Sequence, residues 1–105
     1  YHNQVLHCEE VSLPDLAESW QTPLYIYSYA TLKRHFETFD RSFDDVRHLT
    51  CFSVKSNSNL AILNLFSRWG GGMDIVSGGE LFRALRAGVD ASLHIDGHEK
   101  KQIWT

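Results

Sequence analysis

The chain has 105 residues, enough for one small domain. Hydrophobic residues make up 43% and charged residues 22%, with a net charge of −3, so the composition is that of an ordinary globular protein and gives no electrostatic reason to expect nucleic acid or an anionic membrane as partner. No apolar run approaches the ~20 residues of a membrane helix, and no signal-peptide pattern opens the chain.

Residues 4–8 alternate weakly and predict a short strand. Ser12-Leu13-Pro14-Asp15 reads as a helix start, with Ser12 as N-cap and Pro14 and Asp15 in the first turn. Leu13, Leu16, Ala17 and Trp20 then share one face, and Thr22-Pro23 ends the helix, because the residue before proline is pushed out of the α region. Leu24-Tyr25-Ile26-Tyr27 predicts a strand from its aromatic and β-branched residues. Ser28 is placed to cap a helix over 30–43, where Leu32, Phe36, Phe39 and Phe43 form an apolar stripe read as core. Asp44-Asp45 breaks the pattern into a turn.

A strand is predicted over 48–54, ending at Lys55, and Asn59 caps a helix over 60–69 that Gly70-Gly71-Gly72 stops. Residues 73–77 read as a short buried strand containing Asp74. Gly78-Gly79-Glu80 opens a helix over 81–86 that Gly88 terminates, and 93–95 is a further strand, ended by Gly97 and followed by Glu99-Lys100-Lys101. From residue 48 the order is therefore strand, helix, strand, helix, strand, repeating every roughly 20 to 25 residues, which fits consecutive βα units on a parallel sheet and an α/β fold. The organisation expected is a strand–helix–strand lead-in over 1–27 and a partial α/β barrel over 28–105.

Cys8 and Cys51 fit no zinc or redox spacing and read as free thiols of a reducing cytoplasm. The six histidines are scattered, so no metal site is expected; His94 and His98 are four apart, but Gly97 and the strand before it argue against one helix face.

Lys55 is the residue that invites chemistry. At the tip of a buried strand, loss of water favours the neutral amine, a nucleophile able to condense with an aldehyde. In βα architectures the site lies at the C-terminal ends of the strands. Neighbouring parallel strands are ~4.8 Å apart, so Lys55 and the segment Asp74–Glu80 are expected at the same rim. Bland readings exist for each. A lysine ending a strand is usually a solvated end residue, and Asp74 could be a structural, hydrogen-bonded carboxylate. Glu80 at a helix start is favoured by the helix dipole in any case. Gly78-Gly79 could bind an anion through its N–H groups or simply make a tight turn.

Phe52-Ser53-Val54-Lys55-Ser56-Asn57-Ser58-Asn59 resembles the Tyr-Ala-x-Lys-Ala-Asn segment of the fold-type III, pyridoxal-phosphate-dependent decarboxylases. Gly72-Met73-Asp74-Ile75-Val76-Ser77-Gly78-Gly79-Glu80 resembles that family's Gly-x-Asp-x-x-Ser-x-x-Glu signature. The Ser-Gly-Gly-Glu-Leu form, Asn-Leu-Ala-Ile-Leu after the lysine and Thr22-Pro23-Leu24-Tyr25-Ile26-Tyr27 upstream are most similar to the branch acting on diaminopimelate. Phe52-Ser53 and Ser56 depart from the commoner Tyr-Ala and Ala, and past residue 92 the likeness to a Gly-x-x-Lys segment is loose.

The resemblance implies an incomplete, alanine-racemase-like, pyridoxal-phosphate-binding TIM barrel. It implies Lys55 as the catalytic residue holding the cofactor as a Schiff base, and Asp74, Ser77 and Glu80 as cofactor-binding residues. The activity implied is decarboxylation of meso-diaminopimelate to L-lysine and carbon dioxide, in lysine biosynthesis, with ornithine, arginine and carboxynorspermidine as alternative substrates of the family. Most of the family's chain, including its phosphate cradle, is absent, so 105 residues alone are expected to be inactive. A non-catalytic truncated module is the competing reading. A three-strand piece leaves open edges, which predicts a homo-oligomer.

Overall fold

The computed structural model describes residues 1–96, in two compact units: Tyr1–Phe39, and Asp40 onward. Gly97, Glu99-Lys100-Lys101 and the tail to 105, to which the sequence assigns a strand end and a charged segment, lie outside the described residues.

The first unit holds a two-stranded antiparallel ribbon, β1 (His7–Cys8) and β2 (Val11–Ser12), with His7 opposite Ser12. The turn between them carries Glu9 at φ 54°. Helix α1 (Leu13–Trp20) starts as the sequence requires: the Asp15 N–H donates to Ser12 Oγ at 3.5 Å. Its end comes at Gln21, in the left-handed region at φ 66°, just before the cis Thr22–Pro23 bond. Helix α2 (Tyr29–Arg41) is capped twice over. The Thr31 N–H donates to Ser28 Oγ at 3.0 Å, while Ser28 Oγ and the Ala30 N–H each donate to Glu9 Oε1 at 2.8 Å. The Ala30 N–H, followed by the Ser28 hydroxyl, holds the Glu9 carboxyl below its ordinary range.

Three expectations change in this part of the chain. The 4–8 strand shrinks to His7–Cys8, preceded by a single bridge between His2 and Val5. Residues 24–27 form no strand: they have no pairing partner among the described residues, and Tyr25 is 85% exposed. Strand propensity reflects a fit to a pleated, half-buried surface, and it has no effect where no such surface is offered. The aromatic stripe is core at one place, since Phe36 is buried while Phe39 and Phe43 are exposed.

The second unit is a three-stranded parallel sheet with its strands in sequence order: β3 (Cys51–Ser53), β4 (Gly72–Ile75) and β5 (His94–Asp96). Helix α3 (Leu60–Arg68) joins β3 to β4, and α4 (Gly78–Arg86) joins β4 to β5. The register places Cys51 beside Gly72, Phe52 beside Met73 and Ser53 beside Asp74. Side chains alternate across a sheet, so one face carries Phe52, Met73 and Ile75. That face packs with Val54, Leu63, Ala84, Ala87 and Val89 into the core, where Leu63, Met73 and Val54 have no exposed surface. Phe52 stacks on Phe66 with ring centroids 4.3 Å apart.

Both helices end on glycine. Gly70 (φ 89°) and Gly88 (φ 83°) occupy the left-handed region, and the Gly71 and Val89 N–H groups reach back to Phe66 O and Ala84 O. Asn64 Nδ2 donates to Ala87 O at 2.8 Å and ties α3 to the end of α4.

The strand expected over 48–54 is only Cys51–Ser53. The residues ahead of it go to another purpose. Asp40 Oδ1 accepts from Thr50 Oγ1 at 2.7 Å and from His48 Nε2 at 3.1 Å, and His48 Nδ1 donates to Val46 O at 2.9 Å.

Candidate functional site

At Ser53 the chain leaves the sheet and turns through one 3₁₀ turn, Val54–Ser56, with Lys55 at its centre. Val54 is the anchor of this turn, since its side chain is fully buried in the core. Ser56 Oγ closes it by donating to Ser53 O at 2.6 Å. The asparagines that follow are also structural. Asn57 Oδ1 accepts from the Asn59 N–H at 3.0 Å, and Asn59 Oδ1 accepts from the Ala61 N–H at 2.9 Å as the N-cap of α3.

Lys55 itself is exposed. The burial expected at the end of a buried strand is thus not supplied by the described residues. The physical reason is that β3 ends two residues earlier, and the turn directs Val54 inward and leaves its neighbour to solvent.

Asp74 sits in β4 in register with Ser53, on the face opposite the helix-packed core, and is half-buried. Cys51 shares that face. Burial pushes its thiol up, and the nearby Asp74 charge adds to the effect. The Ser53 hydroxyl lies there too, buried, with no hydrogen-bond partner among the described residues.

Past β4, Ser77 and Glu80 hold one another around the start of α4. The Glu80 N–H donates to Ser77 Oγ at 3.2 Å, and Glu80 Oε2 accepts from the Val76 N–H at 2.8 Å. This is the reciprocal arrangement of a capping box, shifted by one residue on the carboxylate side. Its signal, Ser-x-x-Glu before an apolar run, is present in the sequence. A Cβ at Gly78 would meet nothing within 4 Å, so packing inside this chain does not demand glycine there.

Because β3 and β4 run parallel in register, Lys55 and Ser77–Glu80 leave the sheet at the same edge. The Lys55 turn packs on β4 and α4, and Arg83 Nη1 donates to Ser58 O at 3.4 Å, fastening α4 to the loop beyond the lysine. The edge thus carries an accessible amine, a half-buried carboxylate one residue short of the end of the neighbouring strand, and a helix N-terminus. In the first unit, His2, His7 and Asp15 line a shallow cleft that contains none of these residues. Among the described residues no group of three or more side chains could hold a metal ion.

Residues 29–103 match the family described as "Pyridoxal-dependent decarboxylase, pyridoxal binding domain". The chain belongs to this family. It is 56% identical over 87 residues to the diaminopimelate decarboxylase of Vibrio cholerae, a match that covers 83% of the chain and 21% of that protein. Among solved structures, diaminopimelate decarboxylase from Helicobacter pylori complexed with L-lysine superposes with a TM-score of 0.74 at 35% identity, over 79% of the chain and 21% of that structure. The enzyme of the same name from M. jannaschii, in co-complex with L-lysine, gives 0.78 at 31% identity, over 90% and 23%. The chain spans about a fifth of the length of the curated relatives it matches. The family's pyridoxal-binding domain accordingly contains both the Lys55 turn and the Ser77–Glu80 cap.

Proposed function

We propose that the chain supplies the first βα units of an alanine-racemase-like barrel in a pyridoxal-phosphate-dependent amino-acid decarboxylase, acting on meso-diaminopimelate to give L-lysine and carbon dioxide. The observation that carries this reading is the common edge: Lys55 directly beyond β3, with Asp74 and the Ser77–Glu80 cap on the adjoining parallel strand and helix. The residues fit the cofactor. An amine open to solvent can receive an aldehyde carbon, and a buried hydroxyl without a partner lies on the same sheet face as Asp74. Lysine is also the small molecule bound in the two structural relatives named above.

Pyridoxal phosphate, when bound, supplies an electron sink for the carbanion left by loss of carbon dioxide. The rest falls to the protein. Lys55 would hold the cofactor through its side-chain amine, which is open to solvent. Asp74 and Glu80 would bring negative charge to the edge that carries the Lys55 amine, and so favour its charged form when it is free. Glu80 does so from a fixed position, because one of its oxygens is already bonded to the Val76 N–H. Ser77 fixes the start of α4, whose N-terminal N–H groups face anionic ligands favourably.

A homo-oligomer belongs to the same proposal, since β3 has no strand on its outer side among the described residues. So does a cytoplasmic setting, supported by two unpaired thiols; no described helix is long and apolar enough to cross a membrane. The exposure of Lys55 favours one second reading: these 105 residues in isolation form a non-catalytic α/β module.

The test is reductive trapping. The full-length protein is mixed with pyridoxal phosphate and treated with borohydride, and the adduct is located by peptide mass spectrometry, with Lys55→Ala as control. Labelling confined to Lys55, with carbon dioxide released from meso-diaminopimelate faster than from ornithine or arginine, is the expected result. Labelling spread over Lys33, Lys100 and Lys101 overturns the proposal.

A further inference from the structure

The face of the sheet opposite α3 and α4 carries a polar group that the described residues do not use. Ser53 Oγ is buried and unpartnered among the described residues. A hydroxyl offers one proton and two lone pairs, and to bury it unbonded costs free energy that alanine would spare. Its neighbours differ in this respect: Ser56, Asn57 and Asn59 each spend their side chains on a nearby backbone group. The local fold therefore accounts for those three residues and leaves the serine at 53 unexplained.

Placement supplies the explanation. Ser53 is the last residue of β3, in register with Asp74, on the face opposite Met73, Ile75 and the helices, and two residues before Lys55. A group held by Lys55 and lying over that face would meet Ser53 before any other side chain of β3. We propose that Ser53 is a cofactor-binding residue whose hydroxyl forms a hydrogen bond with the pyridoxal group held at Lys55, an inference that rests on the function proposed above.

The test compares Ser53→Ala and Ser53→Thr with the parent in the full-length protein. Pyridoxal phosphate affinity is titrated by the absorbance of the bound chromophore, borohydride labelling of Lys55 is scored in each, and thermal midpoints are taken without cofactor. The alanine variant is expected to bind pyridoxal phosphate roughly three- to tenfold more weakly, the size of one hydrogen bond. Its cofactor-free midpoint should not fall below the parent's, and the threonine variant, which keeps the hydroxyl, should stay within about twofold of parental affinity. Unchanged affinity in Ser53→Ala, with Lys55 still labelled, overturns this inference and leaves the proposed function standing. A lowered cofactor-free midpoint in Ser53→Ala overturns it as well, because the hydroxyl would then serve the fold. No selective labelling of Lys55 in the parent removes the proposed function, and this inference with it.

Discussion

Glu80 serves the fold whether or not it serves chemistry, and that separation can be measured. Its Oε2 accepts a hydrogen bond from the Val76 N–H at 2.8 Å, in a half-buried setting between β4 and α4. Glu80→Ala removes the acceptor and leaves that N–H without a bond, which costs roughly 1–3 kcal/mol for a buried group, here toward the lower half of the range because the site is only partly buried. It also removes a negative charge from the first turn of α4, worth about 0.3–1 kcal/mol. Glu80→Gln keeps a carbonyl acceptor of the same reach and loses only the charge. Amide hydrogen exchange of Val76 reports the bond directly. With 1.4 kcal/mol equal to a factor of ten, the alanine variant should exchange roughly tenfold or more faster and the glutamine variant about threefold. The ordering is the critical result. Equal exchange at Val76 in parent and Glu80→Ala, or a glutamine variant as fast as the alanine one, would refute the claim that the carboxylate oxygen holds the turn.

Two further outcomes are expected from the second unit. Leu63 has no exposed surface and lies at the centre of the core, so Leu63→Ala should cost about 2–5 kcal/mol in urea unfolding, and a loss below about 1 kcal/mol would contradict the packing described. His48 has a hydrogen-bond acceptor at both ring nitrogens, an arrangement that only the imidazolium satisfies. The Val46 carbonyl first, then the Asp40 carboxylate, raise its pKa above the ordinary 6.5. A raised folded-state value means stabilisation that is complete below 6.5 and lost as pH rises through the folded value. An NMR titration of the His48 ring should show the elevation, and Asp40→Asn should reduce it; an unchanged titration in that variant would rule out the pair.

The helix starts were legible because each depends on one side chain bonding a backbone group a few residues away. Ser12, Ser28 and Asn59 are all placed where the sequence puts them. The strands were less legible, because a strand exists only where another strand meets it. Leu24–Tyr27 has the composition and no partner among the described residues. His48 and Thr50 have strand-forming neighbours but bond to Asp40, a contact across eight and ten residues that no local pattern announces. At the site, spacing sufficed to bring Lys55 and the Asp74–Glu80 segment to one edge. The capping role of Ser77 and Glu80 is written in their spacing, beyond the favourable helix dipole that the position of Glu80 alone suggests. The unpartnered Ser53 hydroxyl required the register, because only the pairing of Ser53 with Asp74 settles which face it occupies.

With β3 only three residues long, the segment ahead of Lys55 has no slack. Deleting or inserting one residue between Cys51 and Lys55 would exchange the two faces of the strand. The Phe52 ring would leave Phe66 for the Asp74 side, and the Ser53 hydroxyl would turn into the apolar core. Fold and site share one phase, so neither can slip without the other. A substitution in this stretch leaves that phase intact, whereas a change of length does not.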